Sequence, residues 1–85
     1  MGKLRVYTKD GCPACVNTKT FLSNNSIDFE EFKIGQNITR DEVLQKFPNA
    51  KTVPIIVIDD SITIGGYTDL LRLYENKELF VLLDL

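Results

Sequence analysis

Cys12-Pro13-Ala14-Cys15 stands between a strand pattern and a helix pattern, and this placement constrains the fold more than any other stretch of the chain. Before it, Lys3 to Thr8 alternates around Leu4, Val6 and Thr8, with Tyr7 on the opposite face, which is the period-two pattern of a strand. Asp10-Gly11 turns the chain. Pro13 then sits where a first helical turn begins, a position where the N–H that proline lacks has no helical partner anyway. Cys15, Thr18, Phe21 and Leu22 fall on one side of a helix that Asn24-Asn25-Ser26 ends. Ile27 to Ile34 reads as a second strand, closed by Gly35. A strand–helix–strand unit needs a right-handed crossover, so these two strands are expected to be parallel.

The remaining segments complete one α/β layer structure. Thr39-Arg40-Asp41-Glu42 is a capping box, in which the Thr39 hydroxyl accepts from the Glu42 amide while Glu42 reaches back. Val43, Leu44 and Phe47 are expected to form the buried stripe of that helix, and Pro48 closes it. Pro54 leads a β-branched run to Ile58, Asp59-Asp60 turns, and Ser61 to Ile64 returns as the second strand of a hairpin. After Gly65-Gly66, Thr68 is expected to cap a helix running through Tyr74, with Leu70, Leu71, Leu73 and Tyr74 inward and Asn76 as its C-cap. Glu78 to Leu85 forms one further short helix. The expected order is β-α-β-α-β-β-α, a small mixed sheet with helices on both faces in a single domain spanning residues 1–85.

Composition removes several classes of function. Ten basic and twelve acidic side chains leave a net charge of −2, which gives no electrostatic case for nucleic acid or an anionic membrane. Without histidine there is no serine–histidine or cysteine–histidine catalysis and no histidine-containing metal site. The longest apolar stretch, Val53 to Ile58, is far short of the roughly 20 residues that span a bilayer. No charged segment followed by an apolar one opens the chain, so no leader is expected and the cytoplasm is the expected compartment. There a stable disulfide staple is disfavoured, and two cysteines call for another explanation.

Two thiols at this spacing on a helix start can close a disulfide. The helix N-terminus offers unpaired amides and partial positive charge, which favour thiolate at Cys12, and Lys9 adds a cation beside it. Cys15, a turn inside the helix, is shielded and suits a resolving role. The competing readings are a zinc half-site and a pair of buried structural cysteines; zinc needs four ligands, which this chain cannot supply alone. Thr52-Val53-Pro54 is either an edge device opening a strand or a tight turn with a cis Val53–Pro54 bond, which would leave the Val53 amide and carbonyl free to pair with an extended peptide. Gly65-Gly66-Tyr67-Thr68-Asp69 is at least a strand end followed by a capped helix. Its amides also make an anion site that glycines let a ligand approach. The three segments meet in one groove in the fold as read. A tripeptide with a central thiol and two terminal carboxylates would suit all of them.

In their order and spacing these segments resemble the glutaredoxins, from about Lys3 to Leu83, and the compact form is similar to bacterial and phage dithiol members. The resemblance rests on Tyr7-Thr8-Lys9 before Cys12-Pro13-Ala14-Cys15, then Thr52-Val53-Pro54, then Gly65-Gly66-Tyr67-Thr68-Asp69-Leu70. It implies a thioredoxin-like fold with sheet order 2-1-3-4 and a glutathione-dependent disulfide reductase. Cys12 would be the nucleophile and Cys15 the resolving cysteine. Thr52 and Val53 would pair with the glutathione backbone across a cis Pro54. Gly66, Tyr67, Thr68 and Asp69 would hold its γ-glutamyl end, and Lys9 its glycine carboxylate. Glutathione would be the co-substrate, with no metal, and ribonucleotide reductase a typical partner of a monomeric protein in electron transport and cell redox homeostasis. Most dithiol members carry tyrosine where Ala14 stands, so an aromatic wall and a hydroxyl beside the thiolate are missing here.

Two alternatives use the same cysteines. One is a redoxin fed by thioredoxin reductase; such proteins tend to carry a tryptophan-containing C-terminal signature, and this chain has no tryptophan. The other is a dimer holding a 2Fe–2S cluster between two Cys12 thiolates and two glutathiones, against which Pro13 stiffens the active-site turn.

Overall fold

The computed structural model describes residues 3–50, 52–59 and 62–83. Along the chain run β1 (Leu4–Thr8), α1 (Pro13–Asn24), β2 (Phe29–Lys33), α2 (Arg40–Lys46), β3 (Ile55–Ile58), β4 (Ile62–Gly65), α3 (Tyr67–Glu75) and α4 (Leu79–Leu83). β1 pairs in parallel with β2, Leu4 opposite Phe29, and antiparallel with β3, Leu4 opposite Ile58. β4 returns antiparallel to β3, giving the sheet order β2-β1-β3-β4. This is the thioredoxin-like arrangement that the resemblance implies. The expected hairpin turn and strand start at Asp60 and Ser61, and the helix end at Asp84 and Leu85, lie outside the described residues.

The sheet is covered on both faces because its two central strands carry apolar side chains at odd and even positions alike. On one face Leu4, Val6, Ile56 and Ile58 meet Leu22 of α1, Leu70 of α3 and Leu79 and Leu83 of α4. On the other, Tyr7, Ile55 and Val57 meet Val43 of α2 and Phe47 at its C-cap. Tyr7 is buried with its ring stacked on Phe32 and edge-on to Phe47, at centroid distances of 5.2 and 5.1 Å.

Two expectations are corrected. Leu44 is 43% exposed, and the buried line that α2 offers the sheet is Val43 continued by Phe47 at the C-cap. The helix is two turns long, and its sheet-facing line passes through positions four apart, leaving the next residue turned about 100° away. The N-cap of α3 is Gly66, not Thr68, and the helix begins at Tyr67. Asp69 reaches back so that its Oδ2 accepts from the Gly66 N–H at 3.1 Å, and the cap needs no side chain of its own.

The expected Thr39 box is present. Thr39 Oγ1 accepts from the Glu42 N–H at 3.1 Å, and Glu42 Oε1 accepts from the Thr39 N–H at 3.1 Å. These bonds from the Thr39 backbone and then its hydroxyl hold the Glu42 carboxyl below the usual 4.5. For Glu31 burial pushes upward, but hydrogen bonds from Thr8 and Lys19 and the charges of Lys19 and Lys33 outweigh it, again lowering the value. Both carboxyls bind protons more weakly folded than unfolded. Their contribution is therefore fully present above about pH 4.5 and is lost as pH falls through the lower folded values. The urea midpoint should accordingly drop on acidification below that pH. Glu42→Gln should flatten part of this drop, and an unchanged acid profile would refute the assignment.

Candidate functional site

α1 begins at its cysteine. Cys12 is the N-cap, with extended backbone at φ −111° and ψ 101°, and Pro13 occupies the first helical position. Cys12 Sγ accepts from the Cys15 N–H at 3.1 Å, so sulfur does here what a serine or aspartate oxygen does at most helix starts. That donor and the positive helix end both favour negative charge on this sulfur. The two cysteines are joined as a disulfide, with Cα atoms 5.2 Å apart. Cys12 is half-buried, whereas Cys15 is 2% exposed on the inner face with Thr18 and Leu22. Thr18 is buried too and its hydroxyl donates to the Ala14 carbonyl at 2.8 Å.

Tertiary structure brings two other segments to the dithiol. Cys12 Sγ lies 3.8 Å from the Val53 carbonyl oxygen. The Val53–Pro54 bond is cis, and among the described residues the Val53 N–H has no hydrogen-bond partner. Pro54 is buried, and a Cβ on Gly66 would stand 3.9 Å from its carbonyl, so the start of α3 abuts the same loop. Cysteine pair, Thr52–Pro54 segment and α3 N-terminus thus form one continuous surface.

The individual residues divide as follows. Lys9 is exposed and lines a surface cavity of about 630 Å³ together with Arg40, Leu44, Thr52 and Val53. A further cavity of about 490 Å³ is lined by Thr52, Pro54, Gly65 and Gly66 together with Lys46 and Phe47; Thr52 borders both cavities, and neither cysteine lines either of them. Thr68 is exposed. Tyr67 turns its ring edge-on to Phe21 of α1, with centroids 6.5 Å apart. Asp69 is already engaged: Gly66 N–H meets Oδ2, and Arg72 Nη1 lies 3.5 Å from Oδ1. Sequence reasoning passed over Arg40. It is the first residue of α2, where the helix end disfavours cations, and a basic residue at such a position was the available signal.

A glutaredoxin family model matches residues 4–62. The chain is 38% identical to glutaredoxin 3 of Escherichia coli K12 over 73 residues, covering 86% of this chain and 87% of that one. It is 34% identical to glutaredoxin-1 of Bos taurus over 84 residues, with 92% and 78% covered. Its fold superposes on glutaredoxin 1 of Francisella tularensis with a TM-score of 0.72 and 32% identity, covering 89% and 95% of the two chains. No helix among the described residues is long and apolar enough to cross a membrane. Sequence, sheet order and a cysteine pair already at bonding distance agree, and the chain belongs to the glutaredoxin family, with the thiol–disulfide oxidoreductase chemistry of that family.

Proposed function

We propose that the protein reduces protein disulfides and glutathione mixed disulfides at the expense of glutathione, with Cys12 as nucleophile and Cys15 as resolving thiol. The observation that carries this reading is the 3.8 Å approach of Cys12 Sγ to the Val53 carbonyl. A sulfur at that spot lies beside a segment with a free backbone donor, where an extended peptide bearing a central thiol can pair. Reduced Cys12 attacks one sulfur of the target. The target S–S bond breaks, the other sulfur leaves as thiolate and takes a proton, and a mixed disulfide remains on Cys12. For a protein target, Cys15 loses its proton and displaces the target thiol, closing the Cys12–Cys15 disulfide. Two glutathiones then reduce it and leave as glutathione disulfide. For a glutathionylated target, a second glutathione resolves Cys12 directly.

Lys9 and Arg40 together offer two cations on one cavity wall for the glycine carboxylate. Thr52 and Val53 supply backbone pairing, and Gly66, Tyr67, Thr68 and Asp69 receive the γ-glutamyl end. The family's typical disulfide partner, ribonucleotide reductase, a single monomeric domain and a cytoplasmic setting complete the proposal.

The test is a coupled assay with glutathione, glutathione reductase and a small mixed disulfide. Lys9→Ala and Arg40→Ala should each raise the glutathione concentration for half-maximal rate. Both side chains are exposed, so the expected loss is about 1 kcal/mol, roughly fivefold, and smaller in high salt. Asp69→Asn keeps an acceptor for the Gly66 amide but loses the charge, and should weaken glutathione use while the helix start holds. Unchanged saturation in all three variants would favour a redoxin fed by thioredoxin reductase.

A further inference from the structure

Glu31 is a carboxylate the proposed chemistry does not use. Its Oε2 accepts from Thr8 Oγ1 at 2.7 Å and from Lys19 Nζ at 3.0 Å. Thr8 is buried at the end of β1, one residue before Lys9. Lys19 lies on α1 four residues beyond Cys15, and residues at that spacing share a helix face. Long side chains on a helix lean toward its N-terminus. A Lys19 released from Glu31 would therefore swing toward Cys15.

We propose that Glu31 and Lys19 act as a positioning pair that keeps Cys15 a neutral thiol. Glu31 holds the Lys19 ammonium against β2, so no unpaired cation stands one helical turn from Cys15, and thiolate formation is left to Cys12. This rests on the reading of Cys12 as the attacking sulfur. Cys15 has to stay uncharged until a mixed disulfide forms next to it; an early thiolate there would place a like charge beside Cys12 and disfavour the thiolate that attacks.

The surrounding charges leave this pair as the one poised to act. Lys33 of β2 is bonded to Asp10 at 3.1 Å, and Asp69 and Arg72 of α3 pair with each other. On the neighbouring strand positions Glu30 is shared between Lys3 and Arg5. Lys9 lines the cavity on the Thr52–Val53 side. The Glu31 carboxyl, held down by Thr8, Lys19 and Lys33 against the effect of burial, is ionised at neutral pH.

The test uses the full chain in reduced form with Cys12→Ser, since serine is itself a good N-cap and preserves the start of α1. The ionisation of Cys15 is read from the NMR shift of its carbon-labelled Cβ against pH. Glu31→Gln should lower the Cys15 pKa by about half a unit to one unit, roughly three- to tenfold more thiolate near neutrality. Lys19→Met should raise it by a similar amount, because the Glu31 charge then keeps its Thr8 hydrogen bond but loses the ammonium that offsets it, and the double variant should return close to the parent. Shifts in the same direction for both single variants would mean mere loosening of α1 and overturn the proposal, as would no shift in either. If Glu31→Gln does not fold, Lys19→Met alone decides: a fall or no change in the Cys15 pKa overturns the idea. Turnover of the Cys12→Ser protein in the glutathione assay is a separate readout. Activity there would refute the nucleophile assignment, whatever the titration shows.

Discussion

Cys12→Ser is expected to abolish turnover on every disulfide, whereas Cys15→Ser should keep most activity on glutathionylated small substrates and lose it on protein disulfides. The asymmetry follows from position. Cys12 is half-exposed, caps the helix and receives the Cys15 N–H, so its thiolate is both reachable and stabilised. Cys15 is buried and can reach only a sulfur already attached to Cys12. Removing an essential nucleophile leaves no substitute path through the groove, and a loss on the order of a thousandfold or more is expected. With glutathione as the attached group, a second glutathione does the resolving and Cys15 is dispensable. The two variants should be compared in the coupled assay on a small mixed disulfide and on an intact protein disulfide. Activity in Cys12→Ser with none in Cys15→Ser would reverse the roles; equal losses for Cys15→Ser on both substrates would remove the division of labour.

Gly65→Ala is expected to be the most destabilising single-methyl change near the groove. Gly65 has φ +120°, a backbone conformation that side chains rarely adopt. A Cβ there would also collide with the Asp69 carboxylate, the group that accepts from the Gly66 N–H and closes the start of α3. Strain and a lost cap together should cost about 2–4 kcal/mol. Gly66→Ala is the control: its backbone is extended at φ −100°, and the added Cβ meets only the Pro54 carbonyl at ordinary contact distance. It should cost under about 1 kcal/mol. Urea unfolding separates the two. Equal midpoints would show that the contact between residue 65 and Asp69 is not structural. Because Gly65 sets the entry to α3, its alanine variant should also use glutathione poorly at temperatures where it remains folded.

Much of the fold is legible in the sequence because it is local. Pro13 at the first helical position, the Thr39–Glu42 box and the Asn76 cap are settled by neighbours within a few residues, and each is where the pattern puts it. The cap of α3 departs from the local preference. Thr68 is the better capping residue by type, but Gly66 is held by a carboxylate three residues ahead, and that bond outweighs the intrinsic preference. Leu44 departs from the pattern for a related reason: it borders a cavity on a short helix, and the period alone does not say which side the sheet takes.

Alternation and spacing along the chain determined the strands, the helices and the dithiol, since backbone geometry repeats over two or three to four residues regardless of what lies across the fold. Only the tertiary structure decided which of these segments meet. Cys12 and Val53 are 41 residues apart in sequence and 3.8 Å apart in space. Arg40 reaches the same cavity as Lys9 because α2 lies across the sheet face that Tyr7, Ile55 and Val57 make apolar. Glu31 finds Lys19 because a parallel β1–β2 pair, Val6 opposite Glu31, turns that carboxylate toward α1. These partners depend on register and packing, on which strand lies beside which and which face each helix covers, and no local pattern carries that information.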